Sequence, residues 1–421
     1  MAVTTQSVAE ICEAAKRAAR GLGSASTEAK DAALEATARL LGERIAEILE
    51  ANAADLADER AAGLSEALRD RLTLTEERIA AMAEGMRAVA ALADPVGEEL
   101  ERKLLDGGLE LTKLRVPLGV VAVVYEARPN VTIDCAALTI KSGNALVLRG
   151  SSYAERSNGA LAAVVREALA EAGLPEDAVR LLAGGGHEGL AELATQDRLV
   201  DLMIPRGGEG LKAALKDVAT VPVIYAAAGN CHVYVHADAD LEMARRIAVN
   251  AKTQRPGVCN AAETLLVDAG VADEFLPLVL ADLAEAGVEL VGDDRVRAAA
   301  AGISVAEASE EDWATEFLDL KLAVGVVDSL EEAIEHVNRN GTRHSEAIVT
   351  ADEEAARRFS AGVDAAVVYT NASTRFTDGF EFGMGAEVGN STQKLHARGP
   401  IGLRELTTYK YVVRGDGQIR E

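Results

Sequence analysis

Aromatic side chains are scarce, at 3% of 421 residues, although 49% of the chain is hydrophobic. The apolar content is therefore mostly Ala, Val and Leu, which suits helices packed on a buried parallel sheet. Cysteine is sparse too: Cys12, Cys135, Cys231 and Cys259 lie far apart, with no CxxC pair. That spacing excludes a disulfide framework and a cysteine zinc site, so no metal is expected, and it fits a reducing, cytoplasmic setting. Positive charge is in deficit, with a formal net charge of −25. Such a field opposes nucleic acid and anionic membrane as partners, and an acidic ligand would need a local cationic pocket. No apolar run is long enough to span a bilayer, and the first residues lack the apolar centre of a secretory leader. A soluble chain of this length is expected to form two or three domains.

Residues 5 to about 93 read as helices. Leu34, Ala38, Leu41, Ile45, Ile48 and Leu49 recur at helical spacing, with Ser26 and Thr27 as caps upstream. Asp94-Pro95 closes that segment. LLDGGLELTKLRVPLG (Leu104–Gly119) has a Gly-Gly turn between alternating apolar residues and predicts a β-hairpin. The rhythm then changes. VVAVVYEA, ALVLRG, AVRLLAG, VDLMIP and VPVIYAAAG read as strands separated by helices, the second helix region beginning at DCAALTIKSG. From Leu241 a second unit begins, with strands TLLVDA, VELVG, LKLAVGVVD, EAIVTA and AAVVYTN between helices. The fold class is α/β, with two doubly wound parallel-sheet domains. The hairpin and a late alternating strand in LRELTTYKYVVRGDG would pair with each other or with another subunit.

The clearest chemistry lies in NAKTQRPGVCNAAETL (Asn250–Leu265). Pro256-Gly257 bends the chain, and Asn260–Glu263 reads as helical, which puts Cys259 at a helix N-terminus. Free N–H groups there favour a thiolate and could hold an oxyanion. Lys252 and Arg255 add positive charge, while a small buried apolar cysteine fits the same residues. Gly184, Gly186 and Gly189 match G-x-G-x-x-G between a strand and a helix. PRGGEG, with Arg206, Gly207 and Gly208, is a second glycine loop. Both read as phosphate loops or as tight turns. Lys141 and Arg149 bracket the strand ALVL. Arg149, followed by Gly150, Ser151 and Ser152, suits the extra phosphate of NADP or a surface salt bridge.

Several segments together resemble the γ-glutamyl phosphate reductase family of the aldehyde dehydrogenase superfamily. They are PLGVVAVVYEARPNVTIDCAALTIKSGNALVLRG, VDLMIPRGGEGL, NAKTQRPGVCNAAETLLV, HSEAIVT, VVYTNASTRFTDG and STQKLHARGPIGLRELTTYKYVVRGDG. AIEHVNRNGTRHSEAI resembles the family's signature segment, departing from it at Asn340. The resemblance implies NADPH-dependent reduction of glutamyl phosphate to glutamate semialdehyde, the second step of proline biosynthesis. It implies N-terminal helices of the cofactor domain (1–103), an oligomerisation hairpin (104–118), an NADP-binding domain (119–238) and a catalytic domain (239–372). Residues 373–421 would return to the cofactor domain and supply the oligomerisation strand. A homo-oligomer is expected, with glutamate 5-kinase as a candidate partner.

By the same resemblance Cys259 is the nucleophile, Arg149 and Ser152 meet the cofactor's ribose phosphate, and Glu316 holds the nicotinamide ribose. The general-base Glu of oxidising relatives falls at about Ala226, which cannot activate water. Arg255 is the first candidate for phosphate or oxyanion contact. Asn130 and Arg128 in EARPN are candidates for the oxyanion and an anion. Arg375, His344 and Ser345 are further substrate candidates. An acyl-CoA reductase, or a non-enzymatic binding protein on the same scaffold, is the competing reading.

Overall fold

The computed structural model describes residues 6–183, 186–225 and 228–420. The chain opens with helices α1 (Val8–Gly23), α2 (Thr27–Glu43), α3 (Ile45–Leu56), α4 (Glu66–Leu72) and α5 (Glu76–Ala90). Ser7, Ser26, Ser65 and Thr75 cap four of them by accepting a backbone N–H in the first turn. Strands β1 (Glu99–Leu104) and β2 (Glu110–Pro117) form an antiparallel hairpin. Its first strand therefore lies N-terminal to the expected start at Leu104, because the turn occupies residues 105–109. Alternating charged residues in ELERKL hid a strand whose every residue is exposed.

The first parallel sheet follows. Its strands are β3 (Val120–Tyr125), β4 (Ala145–Arg149), β5 (Val179–Leu181) and β6 (Leu202–Arg206), in the order β5-β4-β3-β6. Helices α6 (Asn130–Lys141), α7 (Glu155–Glu171), α8 (Gly186–Ala194) and α9 (Glu209–Lys216) connect or follow these strands. α6 begins at Asn130, four residues before the expected Asp134. Order reverses around β3, so a ligand crevice opens at the carboxyl ends of β3 and its neighbours. VPVIYAAAG forms no full strand among the described residues; Val223 makes one isolated bridge to Met203.

The second sheet has seven strands. These are β7 (Cys231–Val235), β8 (Ala262–Asp268), β9 (Glu289–Gly292), β10 (Ala306–Glu307), β11 (Lys321–Val327), β12 (Ser345–Val349) and β13 (Val367–Thr370). Their order is β10-β9-β11-β8-β7-β12-β13, all parallel. Helices α10 (Leu241–Thr253), α11 (Ala269–Glu285), α12 (Asp294–Ala299), α13 (Leu330–Asn340) and α14 (Glu353–Gly362) flank it. Strands β7, β8 and β12 are buried along their whole length, although they carry His232, Glu263 and Glu346. Short strands β14 (Asn390–Ser391) and β15 (Gly399–Pro400) precede β16 (Thr407–Arg414), which pairs antiparallel with β2.

Candidate active site

Cys259 sits in the turn between α10 and β8, half-buried and not in a disulfide. The expected helix after it is absent: Ala262 and Glu263 already belong to β8, paired between β7 and β11. Cys259 thus lies at the N-terminal edge of the second sheet, within reach of the charge of Arg206 at the carboxyl end of β6 in the first. No helix dipole lowers its thiol. Burial pushes the thiol up to about 11, and the Glu316 and Glu387 carboxylates add to this, while Arg206 at the end of β6 pulls the other way. The turn is held by its main chain. Cys231 Sγ donates to the Cys259 carbonyl at 3.2 Å. Gly229 packs so closely that a Cβ there would fall 1.5 Å from the same oxygen, so only glycine fits. Gly229 N donates to Glu316 at 2.7 Å, tying the two chain segments together.

Asn260 anchors the other side. Its Nδ2 donates to the Thr377 carbonyl at 2.9 Å, and Thr374 Oγ1 donates to the Asn260 carbonyl at 2.7 Å. This brings Arg375 to the site, where its Nε meets Gln254 at 2.9 Å. Burial, and then the like charge of Arg255, hold the Arg375 guanidinium below its ordinary value.

Beside Val258 opens a cavity of about 510 Å³ lined by Arg71, Arg78, Arg128, Arg255, Asn130 and Asp134, among others. Arg78 is spoken for by Asp70 and the Thr73 carbonyl. Burial first, and then Arg71 and Arg206, depress Arg128, as expected of cations crowded around room for an anion. Here is the local cationic pocket that a chain so acidic requires. Of its members, Arg128, Arg255 and Asn130 were legible from sequence; Arg71, Asp134 and the nearby Glu387 were not. Asp134 follows Asn130 by one helical turn, and that spacing was the available clue.

A separate groove lies at the carboxyl ends of β4 and β5. It is lined by Arg149, Gly150, Ser151, Ser152, Asn158 and Gly186, among others. The guanidinium of Arg149 donates to the Gly186 carbonyl, yet Arg149 Nε, Ser151 Oγ and Asn158 Nδ2 are buried without partners among the described residues. Three orphaned polar groups on a glycine- and serine-rich strand end fit a phosphorylated ribose.

Residues 1–315 and 322–412 match the aldehyde dehydrogenase family. The γ-glutamyl phosphate reductase of Thermobifida fusca is 55% identical over 413 residues, covering 98% of both chains. That of Heliobacterium modesticaldum is 56% identical over 406 residues, 96% of this chain and 97% of its own. The crystal structure of the Thermotoga maritima γ-glutamyl phosphate reductase superposes with a TM-score of 0.96 at 45% identity, covering 99% of this chain and all (100%) of its own. The chain belongs to the aldehyde dehydrogenase family, among its γ-glutamyl phosphate reductases.

Within that family fold, several residues named from sequence fall elsewhere than expected. Lys141 is not at the cofactor groove. It ends α6, at the opposite edge of the sheet, fully buried against Asp31 and the Ala90 carbonyl. Lys252 lends no charge to Cys259, since it is buried in an ion pair with Glu263. His344 and Ser345 do not reach the cavity, because β12 is a central strand. His344 is sealed in and its imidazole pushed down to about 4 by burial. Ser345 Oγ bonds Thr377 Oγ1 at 2.6 Å, so the pair steadies the segment that Asn260 grips.

The loop of Gly207 and Gly208 is no open phosphate cradle, since the Gly208 N–H already meets the Glu126 carboxylate at 3.2 Å. Arg206 packs instead against Gly389. Among the described residues Asn340 bonds outside its helix only through its carbonyl, to Asn230 at 2.9 Å, so the departure at that position loses no side-chain hydrogen bond seen there. Gly184 and Ala226 lie outside the described residues. No helix among those described is long and apolar enough to cross a membrane.

Proposed function

We propose that this chain reduces L-glutamyl 5-phosphate to L-glutamate 5-semialdehyde with NADPH and releases phosphate, as the second step of proline biosynthesis. The observation that carries the reading is the arginine cavity whose wall includes Val258, the residue before Cys259. Arg255 and Arg128 draw the acyl phosphate in by its charge. The Cys259 thiolate attacks the acyl carbon, the carbon–oxygen bond to phosphate breaks, and a thioester remains on the sulfur. Asn130, on the wall of the same cavity, would donate to the oxyanion formed on the way.

Arg149 and Ser152 would hold the ribose phosphate of NADPH and Glu316 its nicotinamide ribose; when bound, the cofactor supplies the hydride. After reduction the carbon–sulfur bond of Cys259 breaks, freeing the aldehyde and the thiolate. No step consumes water. The sequence YAAAGNC has no carboxylate where oxidising relatives keep their base, which protects the thioester from hydrolysis.

The reaction is tested in reverse. Glutamate semialdehyde should be oxidised with NADP only when inorganic phosphate is present, faster than with NAD. Oxidation that ignores phosphate, or that needs coenzyme A in its place, would overturn the assignment.

A further inference from the structure

We propose that Asp134 and Arg71 form the subsite for the amino-acid end of the substrate, Asp134 taking the α-ammonium and Arg71 the α-carboxylate. This rests on the reaction proposed above and adds what selects an amino acid. A cavity of arginines alone would accept any acyl phosphate that carries a second carboxylate. An acid favours the one with an ammonium.

Asn130 and Asp134 stand one turn apart on α6, so both side chains leave it on one face, and both line the cavity. The other acid there, Asp70, is committed to Arg78 at 2.8 Å. Asp134 makes no hydrogen bond or ion pair among the described residues and lines the cavity, where burial pushes its carboxyl up to about 6 against the pull of Arg206. A carboxylate left open among arginines works against anion binding unless it has a cationic ligand to meet.

Arg71, exposed on α4, likewise has no ion pair or hydrogen bond among the described residues, and its charge opposes that of Arg128. Arg255 and Val258 adjoin the cysteine in the chain and line the same cavity, which assigns the phosphate end to their side. The amino-acid end is then left to α4 and α6.

The test compares glutamate semialdehyde with 5-oxopentanoate, which lacks only the ammonium, each oxidised with NADP and phosphate. Asp134→Asn should raise KM for glutamate semialdehyde by about 10- to 100-fold with kcat nearly kept, the scale of a lost charge-assisted contact. KM for 5-oxopentanoate should hold or fall. Arg71→Gln should raise both KM values together. Asp134→Ser serves if the Asn variant does not fold. If both Asp134 variants treat the two aldehydes as the native enzyme does, the subsite is wrong. A native enzyme inactive on glutamate semialdehyde would instead sink the reaction itself, a distinguishable result.

Discussion

The thiol of Cys259 is the residue on which the chemistry turns, and its surroundings hold it protonated. At neutral pH a group raised to about 11 is almost wholly thiol, because burial and the Glu316 and Glu387 carboxylates all oppose the charge. Labelling by iodoacetamide without substrates should therefore climb about tenfold per pH unit through the range where an ordinary cysteine has levelled off. Glu387→Gln removes one opposing charge and should speed labelling at pH 8 by roughly three- to tenfold, given that one pKa unit is a tenfold change in thiolate. Arg206→Gln should slow it. A rate that levels off by about pH 10 would show the thiol to be unperturbed. The sequence pointed the opposite way, to a helix terminus that lowers the thiol, and the reason for that error lies one level up.

At the level of elements, Asn260-Ala261-Ala262-Glu263 looked helical because Ala and Glu are good helix formers. Pairing between β7 and β11 overrode that preference and drew Glu263 into a fully buried strand. Burial there pushes the Glu263 carboxyl up to about 7, and the ion pair with Lys252 makes its charge tolerable. Lys252→Met should thus cost about 3–5 kcal/mol in urea unfolding, since a lone buried carboxylate remains. Lys252→Met with Glu263→Met should recover much of this. It would not recover all, because Leu318 N donates to Glu263 at 3.2 Å and would lose its acceptor. A single variant as stable as the native chain would refute the account.

The same contrast explains what was legible. VVAVVYEA and LKLAVGVVD announced themselves because strands covered on both faces need unbroken apolar runs. Cys259 and Arg149 were visible through local motifs. Asp134, Arg71 and Glu387 come from separate segments, and only the folded chain brings them near Cys259 or into its cavity.

For the molecule as a whole, the sheet of β1, β2 and β16 is the part that the single chain leaves unfinished. Every residue of β1 is exposed, and Leu104 reaches 75%. Along β16, Tyr409, Tyr411 and Val413 alternate onto one face at 50–55% exposure. Lys113 from β2 lies over the Tyr409 ring, 3.8 Å from its centre, and covers only part of that face. A three-stranded antiparallel sheet with so much apolar surface open to water is marginal alone, and we propose that it is covered in an assembly. Its roots are firm, because Asn144 Nδ2 holds the Leu406 carbonyl at 2.8 Å just before β16. A second copy of the chain is the expected cover, in keeping with the hairpin and strand foreseen as an oligomerisation arm. Tyr411→Asp combined with Val413→Asp should dissociate the assembly in light scattering at micromolar concentration. The change is surface-borne, so the circular dichroism of the monomer should match that of the native chain. A native chain already monomeric at that concentration, or a double variant still assembled, would mean that this arm has another purpose.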